Sequence, residues 1–554
     1  MAEYKDYLIE TPIRLEEYKK LYPSLIFAPI SSRLIIVSVP EGAELEFEGL
    51  EKSVGSIYLP ILLGLNAIDA IEQSNISTFH TYPFGELRGT GVLIGFVDTG
   101  IQYTNPLFTY EDNTTRIINI WDQSIEGSGG PEYDYGTIYT EEQINEALKS
   151  KDPLSVVPST DENGHGTMLA AIAAGNERGV PGGYVGGAPD ATLAVVKLKP
   201  AKQYLRDLYL IKDGAVAYQD DDYLTGINYL LTLAKEQDKP IVICTALGSN
   251  QGGHEGDTVS ERYLQESSTF ENVIFVVSAG NEVNQGHHYS GKVLQGGTSL
   301  FEVNVGADEK GFIMYLWATA PDKLTVSVKT PLGGNTGKIP SNNIRVQEYT
   351  FPLENVKLEV QYIASDVTSG DQSIRFRLTT PTPGIWTITV YGESVVSGEY
   401  NVWLPRAGFV GKDTRFLQPD VGMTITTPGN AYETIVMGAY NGMDQSIYAG
   451  SSRGPTRNMV TLPSLVAPGV NVLAPNLSGG YSRYSGTGVA TAVTTSACAL
   501  LLEWAVIKNN LFPINTRIAK TVLIRGARRS PNQTYPNNIE GYGKLDFQNS
   551  LILV

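Results

Sequence analysis

Apolar residues follow two different rhythms along this chain, and the change between them divides it. Residues 92–97, 191–197, 241–245 and 273–278 are short, almost unbroken apolar runs. That is the pattern of parallel strands covered on both faces. Helical spacing over 165–174 and 223–236 places helices between them, so strand, loop and helix alternate. The same rhythm returns at 434–440 and ends in a long helix over 489–508 and a closing helical region over 518–525. Such alternation predicts an α/β fold on a doubly wound parallel sheet, with functional loops at the carboxyl ends of the strands.

From about 306 to 420 the apolar positions switch to period two. Segments 324–328, 356–360, 374–378, 386–390 and 400–404 alternate, and turns with Gly or Pro separate several of them. They predict an inserted β-sandwich of jelly-roll type. Ahead of the α/β body, residues 1–75 predict a small α/β unit. It has a helix near 14–21, a strand over 33–39 that stops at Pro40, and an apolar segment over 57–65. The polar stretch 72–87 reads as a linker. The expected domains are therefore 1–75, 76–305, 306–420 and 421–554, the second and fourth forming one interrupted body.

Composition narrows the partners. A formal charge of −18 over 554 residues argues against nucleic acid or an anionic membrane as the main partner. Residues 1–7 contain no apolar core of a secretory signal, so the expectation is a chain made inside the cell. The apolar run 54–68 is short and broken by Pro60 and Gly64, so no membrane insertion is expected from it. The two cysteines, Cys244 and Cys498, lie in apolar segments and are expected to be buried, reduced thiols.

Candidate chemistry sits at the ends of the apolar runs. Asp98 closes Gly91-Val-Leu-Ile-Gly-Phe-Val-Asp98-Thr-Gly100, and His165 lies in Asn163-Gly-His165-Gly-Thr167. Residues 484–492 read Tyr-Ser-Gly-Thr-Gly488-Val-Ala-Thr-Ala. Ser278-Ala-Gly-Asn281, Ala246-Leu247-Gly248, Ser452-Arg-Gly-Pro-Thr456, Val466-Ala-Pro-Gly469 and Gly541-Tyr-Gly-Lys-Leu-Asp546 complete the set. Together, and in this order, these motifs resemble the subtilisin-like (S8) serine proteases. The resemblance implies that Asp98 and His165 are the retained acid and base of a Ser-His-Asp triad. It further implies that Asn281 supplies the oxyanion amide, and that Ala246, Leu247 and Gly248 form the edge that pairs with a bound peptide.

The nucleophile's position is Gly488, which has no hydroxyl to attack a carbonyl. Ser485, Thr487 and Thr491 lie nearby, but one residue of shift at a helix start swings a side chain by about 100°. No cofactor is expected. His254, His287 and His288 flank Gly-rich loops without supporting ligands, so no metal is expected there. Asp220-Asp221-Asp222 reads as a solvated helix cap rather than a calcium loop.

The N-terminal unit, the β insertion after Asn281 and the string Leu87-Arg-Gly-Thr-Gly-Val-Leu-Ile-Gly95 are similar to the Csp germination proteases of clostridial spores. Active members resemble a prodomain, subtilase domain and jelly-roll insertion, and cleave a cortex-lytic pro-enzyme. The family also has inactive CspA-like and CspC-like members. The resemblance implies a catalytically inactive pseudoprotease in the cortex or coat region of the spore. It would regulate an active Csp-family protease or another germination protein, or sense a small-molecule germinant. A weakly active endopeptidase with a non-standard nucleophile and a structural spore protein are the alternatives. Family prodomains are cut from their protease by the serine in cis. With Gly488, residues 1–75 are expected to stay attached, with their C-terminal segment plugging the groove.

Overall fold

The computed structural model describes all residues except 1–4, 11–14, 30–33, 41, 55, 59–68, 81–85, 128–134, 179–182, 342–345, 367 and 512. Its contacts separate two compact units, Met1–Leu65 and Asn66–Val554. In the smaller unit, β1 (Lys5–Glu10), β2 (Ile26–Pro29), β3 (Leu34–Val39) and β4 (Ser56–Tyr58) form an antiparallel sheet in the order β2-β3-β1-β4. Helices Leu15–Leu21 and Glu44–Glu51 accompany it. Ile9, Tyr18, Leu25, Phe27, Val37 and Leu50 form its core. Most of the expected apolar segment 57–65 lies outside the described residues, and so does the expected plug where it covers 66–68.

In the larger unit β5 (Leu93–Asp98), β6 (Ile117–Asp122), β7 (Thr137–Thr140), β8 (Thr192–Lys197), β9 (Ile241–Thr245) and β10 (Val273–Ser278) build the first part of the main sheet. β5, β9 and β10 are buried at every position, as their unbroken apolar runs require.

The sandwich follows as β11 (His288–Lys292), β12 (Thr298–Val305), β13 (Gly311–Ala318), β14 (Lys323–Lys329) and β15 (Gln347–Phe351). It continues through β16 (Val356–Ile363), β17 (Gln372–Thr379), β18 (Gly384–Ser394), β19 (Glu399–Trp403) and β20 (Arg415–Phe416). Two antiparallel sheets result, β11-β19-β13-β17-β16-β15 and β14-β18-β12-β20. One core draws on both, with Leu316, Leu358 and Phe376 meeting Phe301, Val326 and Ile388. Its first strand starts at His288, earlier than the period-two pattern indicated. β11 pairs with β19 across more than a hundred residues, and such a partner is invisible to a local window.

β21 (Ile435–Tyr440) and β22 (Leu465–Pro468) complete the main sheet, in the order β22-β21-β10-β9-β5-β8-β6-β7. All neighbours pair in parallel except the edge pair β6–β7. Helix Thr487–Leu502 is apolar all round because nearly every one of its residues is buried in this body. Continued to Ile507, it has the length and composition of a membrane span, yet 83% of its most apolar window is inside the fold.

Two further expectations changed on folding, and a third, for the cysteines, did not. The expected linker is anchored on both sides of 81–85, which lie outside the described residues: Ile76, Phe79 and Leu87 are buried in the large unit's core, and Phe79 meets Phe547 edge-on at 5.1 Å. Asp220 and Asp221 are exposed at their helix start, but Asp222 is buried, paired with Lys199 and accepting from Tyr135 Oη at 2.9 Å. Cys244 and Cys498 are both buried and free.

Candidate functional site

The site is built at the carboxyl ends of β5, β9 and β10. Asp98, the last residue of β5, is 1% exposed. Its Oδ1 accepts from Thr99 N at 2.7 Å and pairs with His165 Nδ1 at 2.7 Å. His165 opens the helix His165–Ala174, and Asp161 makes that start rigid. Asp161 Oδ1 accepts from Thr99 Oγ1 (2.8 Å), Asn163 N (3.0 Å) and Gly164 N (2.8 Å). Its Oδ2 accepts from Thr167 N (2.9 Å) and Thr167 Oγ1 (2.8 Å). A carboxylate at a helix N-terminus satisfies orphan donors and meets the positive end of the dipole. It therefore holds the His165 turn against the end of β5. Gly166 is required by close approach, because a Cβ there would stand 2.2 Å from Gly100 O.

The electrostatics of His165 are a contest. Burial disfavours the imidazolium, while the charge and hydrogen bond of Asp98 favour it, and the sum raises the pKa above the usual histidine value. Arg406 opposes this rise from across the site.

Opposite the imidazole lies the start of helix Thr487–Leu502. A Cβ on Gly488 would stand 3.6 Å from His165 Nε2, 3.2 Å from Ala246 Cβ and 3.8 Å from Leu169 Cδ2. Gly488 is thus at the base's front face, where a side chain would address Nε2. Asn281, after β10, is fixed by the same helix start. Its Oδ1 accepts from Thr487 N (3.0 Å) and Thr487 Oγ1 (3.3 Å), while Thr487 Oγ1 accepts from Gly280 N (3.1 Å). A backbone N–H on Oδ1 fixes the amide's orientation and leaves its NH2 as the free donor end.

Ala246, Leu247 and Gly248 leave β9 half-buried, and Ala246 borders position 488 beside His165. The other hydroxyls are engaged elsewhere. Thr491 Oγ1 donates to Thr487 O (2.7 Å), and Ser485 Oγ accepts from Asn471 N (2.9 Å).

The remaining histidines are structural. His254 and His288 both stack on the same indole, with ring centroids 4.1 and 4.7 Å from Trp403. Burial pushes the His254 pKa down to about 3. His287 Nδ1 pairs with buried Glu282 at 3.0 Å. Among the described residues no group of three His, Cys, Asp or Glu is placed to hold a metal ion.

Sequence reasoning missed Asp161, Glu282 and Arg406. Asp161, four residues before His165, carried a readable cap signal. Arg406 carried none, since it reaches the site only through the sandwich.

Comparison with known proteins bears on the family and the fold. A family model described as the subtilase family matches residues 89–327 and 417–543. The solved structure of the Clostridium perfringens CspB protease superposes with a TM-score of 0.79 at 31% identity, covering 88% of this chain and 97% of that one. Subtilisin-like protease SBT2.4 of Arabidopsis thaliana is 30% identical over 214 residues. That match takes in 32% of this chain and only a quarter (25%) of the plant protein's length.

Proposed function

The chain belongs to the subtilase family, and on that premise we propose that it is a catalytically silent Csp-type member that acts by binding. Its role is regulatory: it controls an active Csp-family protease that activates a cortex-lytic pro-enzyme in spore germination, or it senses a germinant. One observation carries this reading. Position 488 stands 3.6 Å, measured from a Cβ, from a correctly oriented His165 Nε2, and it bears no side chain. The pair can hold and orient a proton, yet no hydroxyl lies between it and a bound carbonyl, so no acyl intermediate forms.

The likeness to the CspB protease over 88% of the chain supports the Csp-type part of the reading. The engagement of Thr487, Thr491 and Ser485 in other hydrogen bonds weighs against the weakly active endopeptidase. A structural spore protein is separated by genetics, because it predicts normal germination in a deletion strain. The direct test uses the native protein. Intact mass should show residues 1–75 still attached, and an active-site phosphonate should leave the chain unlabelled. Spontaneous cleavage between about residues 70 and 90, or a phosphonate adduct, would sink the silent reading.

A further inference from the structure

A peptide bound along Ala246–Gly248 would add itself as a strand, and the Gly248 carbonyl is the acceptor its backbone N–H needs. That carbonyl is already taken: Arg406 Nη1 donates to Gly248 O at 2.8 Å. Arg406 belongs to the strap 404–407, which leaves the sandwich after β19. The strap is pinned by backbone contacts rather than loosely laid. Leu404 N donates to His287 O (3.0 Å), and Asn250 Nδ2 donates to Leu404 O (3.2 Å). Ala407 N donates to both carboxylate oxygens of Glu282, at 3.2 Å each.

The guanidinium itself is poorly served. It lies 5.8 Å from the centre of the Phe409 ring, and its Nε is buried with no partner among the described residues. The one hydrogen bond its side chain makes there is to a neutral carbonyl. A fork of five donors held in this way is satisfied best by a carboxylate, which accepts two of them in parallel. Buried Glu282 feels the guanidinium's charge, but its oxygens are taken by Asn250, His287 and Ala407.

We propose that Arg406 is the gate and the selectivity residue of this groove, admitting an extended peptide only when one of that peptide's own Asp or Glu carboxylates draws Arg406 off the Gly248 carbonyl. A neutral chain must strip the guanidinium of its acceptor and offers nothing equivalent. An acidic chain exchanges a carbonyl for a bidentate carboxylate and frees Gly248 O for its own backbone. The partner is therefore an acidic peptide segment. This rests on the reading of 246–248 as a peptide-binding edge, though not on whether the site is silent.

The experiment is fluorescence polarisation on the full chain. The probes are N-acetylated, C-amidated decapeptide mixtures carrying either Glu or isosteric Gln fixed at one position of a randomised sequence. At one position the Glu mixture should bind the native protein about ten-fold more tightly than the Gln mixture. Arg406→Ala should abolish that preference and bind the Gln mixture at least as well as the native chain does. Arg406→Lys should keep the direction of the preference at smaller size, which a merely structural role would not do. Arg406→Gln replaces the alanine variant if melting shows that one unfolded. Equal binding of Glu and Gln mixtures by the native chain at every position, absence of binding included, overturns the proposal. So does a preference that survives removal of the guanidinium. A phosphonate adduct on the native chain would instead overturn the silent reading and leave the selectivity of Arg406 standing.

Discussion

Gly488→Ser puts back a single hydroxyl, and the structure states what it must fit. The position lies in the first turn of helix Thr487–Leu502 and outside the left-handed region, so an L side chain is conformationally allowed. Serine is favoured over glycine in a helix by roughly 0.5 kcal/mol, which offsets part of the cost of the tight 3.2 Å approach to Ala246 Cβ. The Cβ starts 3.6 Å from His165 Nε2, so Oγ, one bond further out, comes within hydrogen-bond reach in a staggered rotamer.

In subtilisin, loss of this serine lowers kcat by about 2 × 10⁶. Misplacement of a reacting atom by an ångström removes about 10² of that effect. The substitution should therefore accelerate reaction with a fluorophosphonate by at least about 10⁴ over the native chain. The adduct should map to position 488 and vanish when His165→Ala is added. The rate should climb as pH rises through the raised pKa of His165, because Nε2 must be unprotonated to accept the hydroxyl proton. A variant that melts with the native chain yet takes no label refutes the reasoning. It would mean that base, amide and helix start do not converge in solution.

Two further perturbations probe what holds the site. The pKa of His165 is higher in the folded chain, so its contribution to stability is fully present below about pH 6.5 and is lost as pH rises through the folded value. Asp98→Asn removes the charge responsible, so the gap in Tm between native and variant should be wider at pH 6 than at pH 9. A gap that is constant or widens with pH contradicts the assignment. Glu503, buried at the end of the long helix, accepts through Oε2 from Arg88 N (2.7 Å), Gly89 N (2.6 Å) and Thr90 N (3.2 Å). Glu503→Gln should cost about 2 kcal/mol in urea unfolding, whereas Glu271→Gln at an exposed position should cost almost nothing. An unchanged midpoint would show that this carboxylate does not hold the 88–90 turn.

The sequence alone marked five of the main sheet's eight strands, β5, β8, β9, β10 and β21, and singled out Asp98, His165, Asn281 and Gly488 as candidates. A strand buried on both faces must be apolar throughout, and chemistry placed at strand ends needs short local motifs, so both signals are contiguous in the chain. Phe79 and Leu87 escaped it. Their stretch is polar on average, and together with Ile76 they anchor it only because the core is there to receive them. The early start of the sandwich at His288 escaped for a related reason, since β11 is a strand by virtue of β19. At the site itself, the glycine at 488 was legible as a missing oxygen. Only the tertiary structure decided that Arg406, a residue with no motif around it, lies on the Gly248 carbonyl, more than 150 residues away in the chain. A hydrogen bond between segments that distant depends on the path of the whole intervening sandwich, and no local pattern of residues encodes that path.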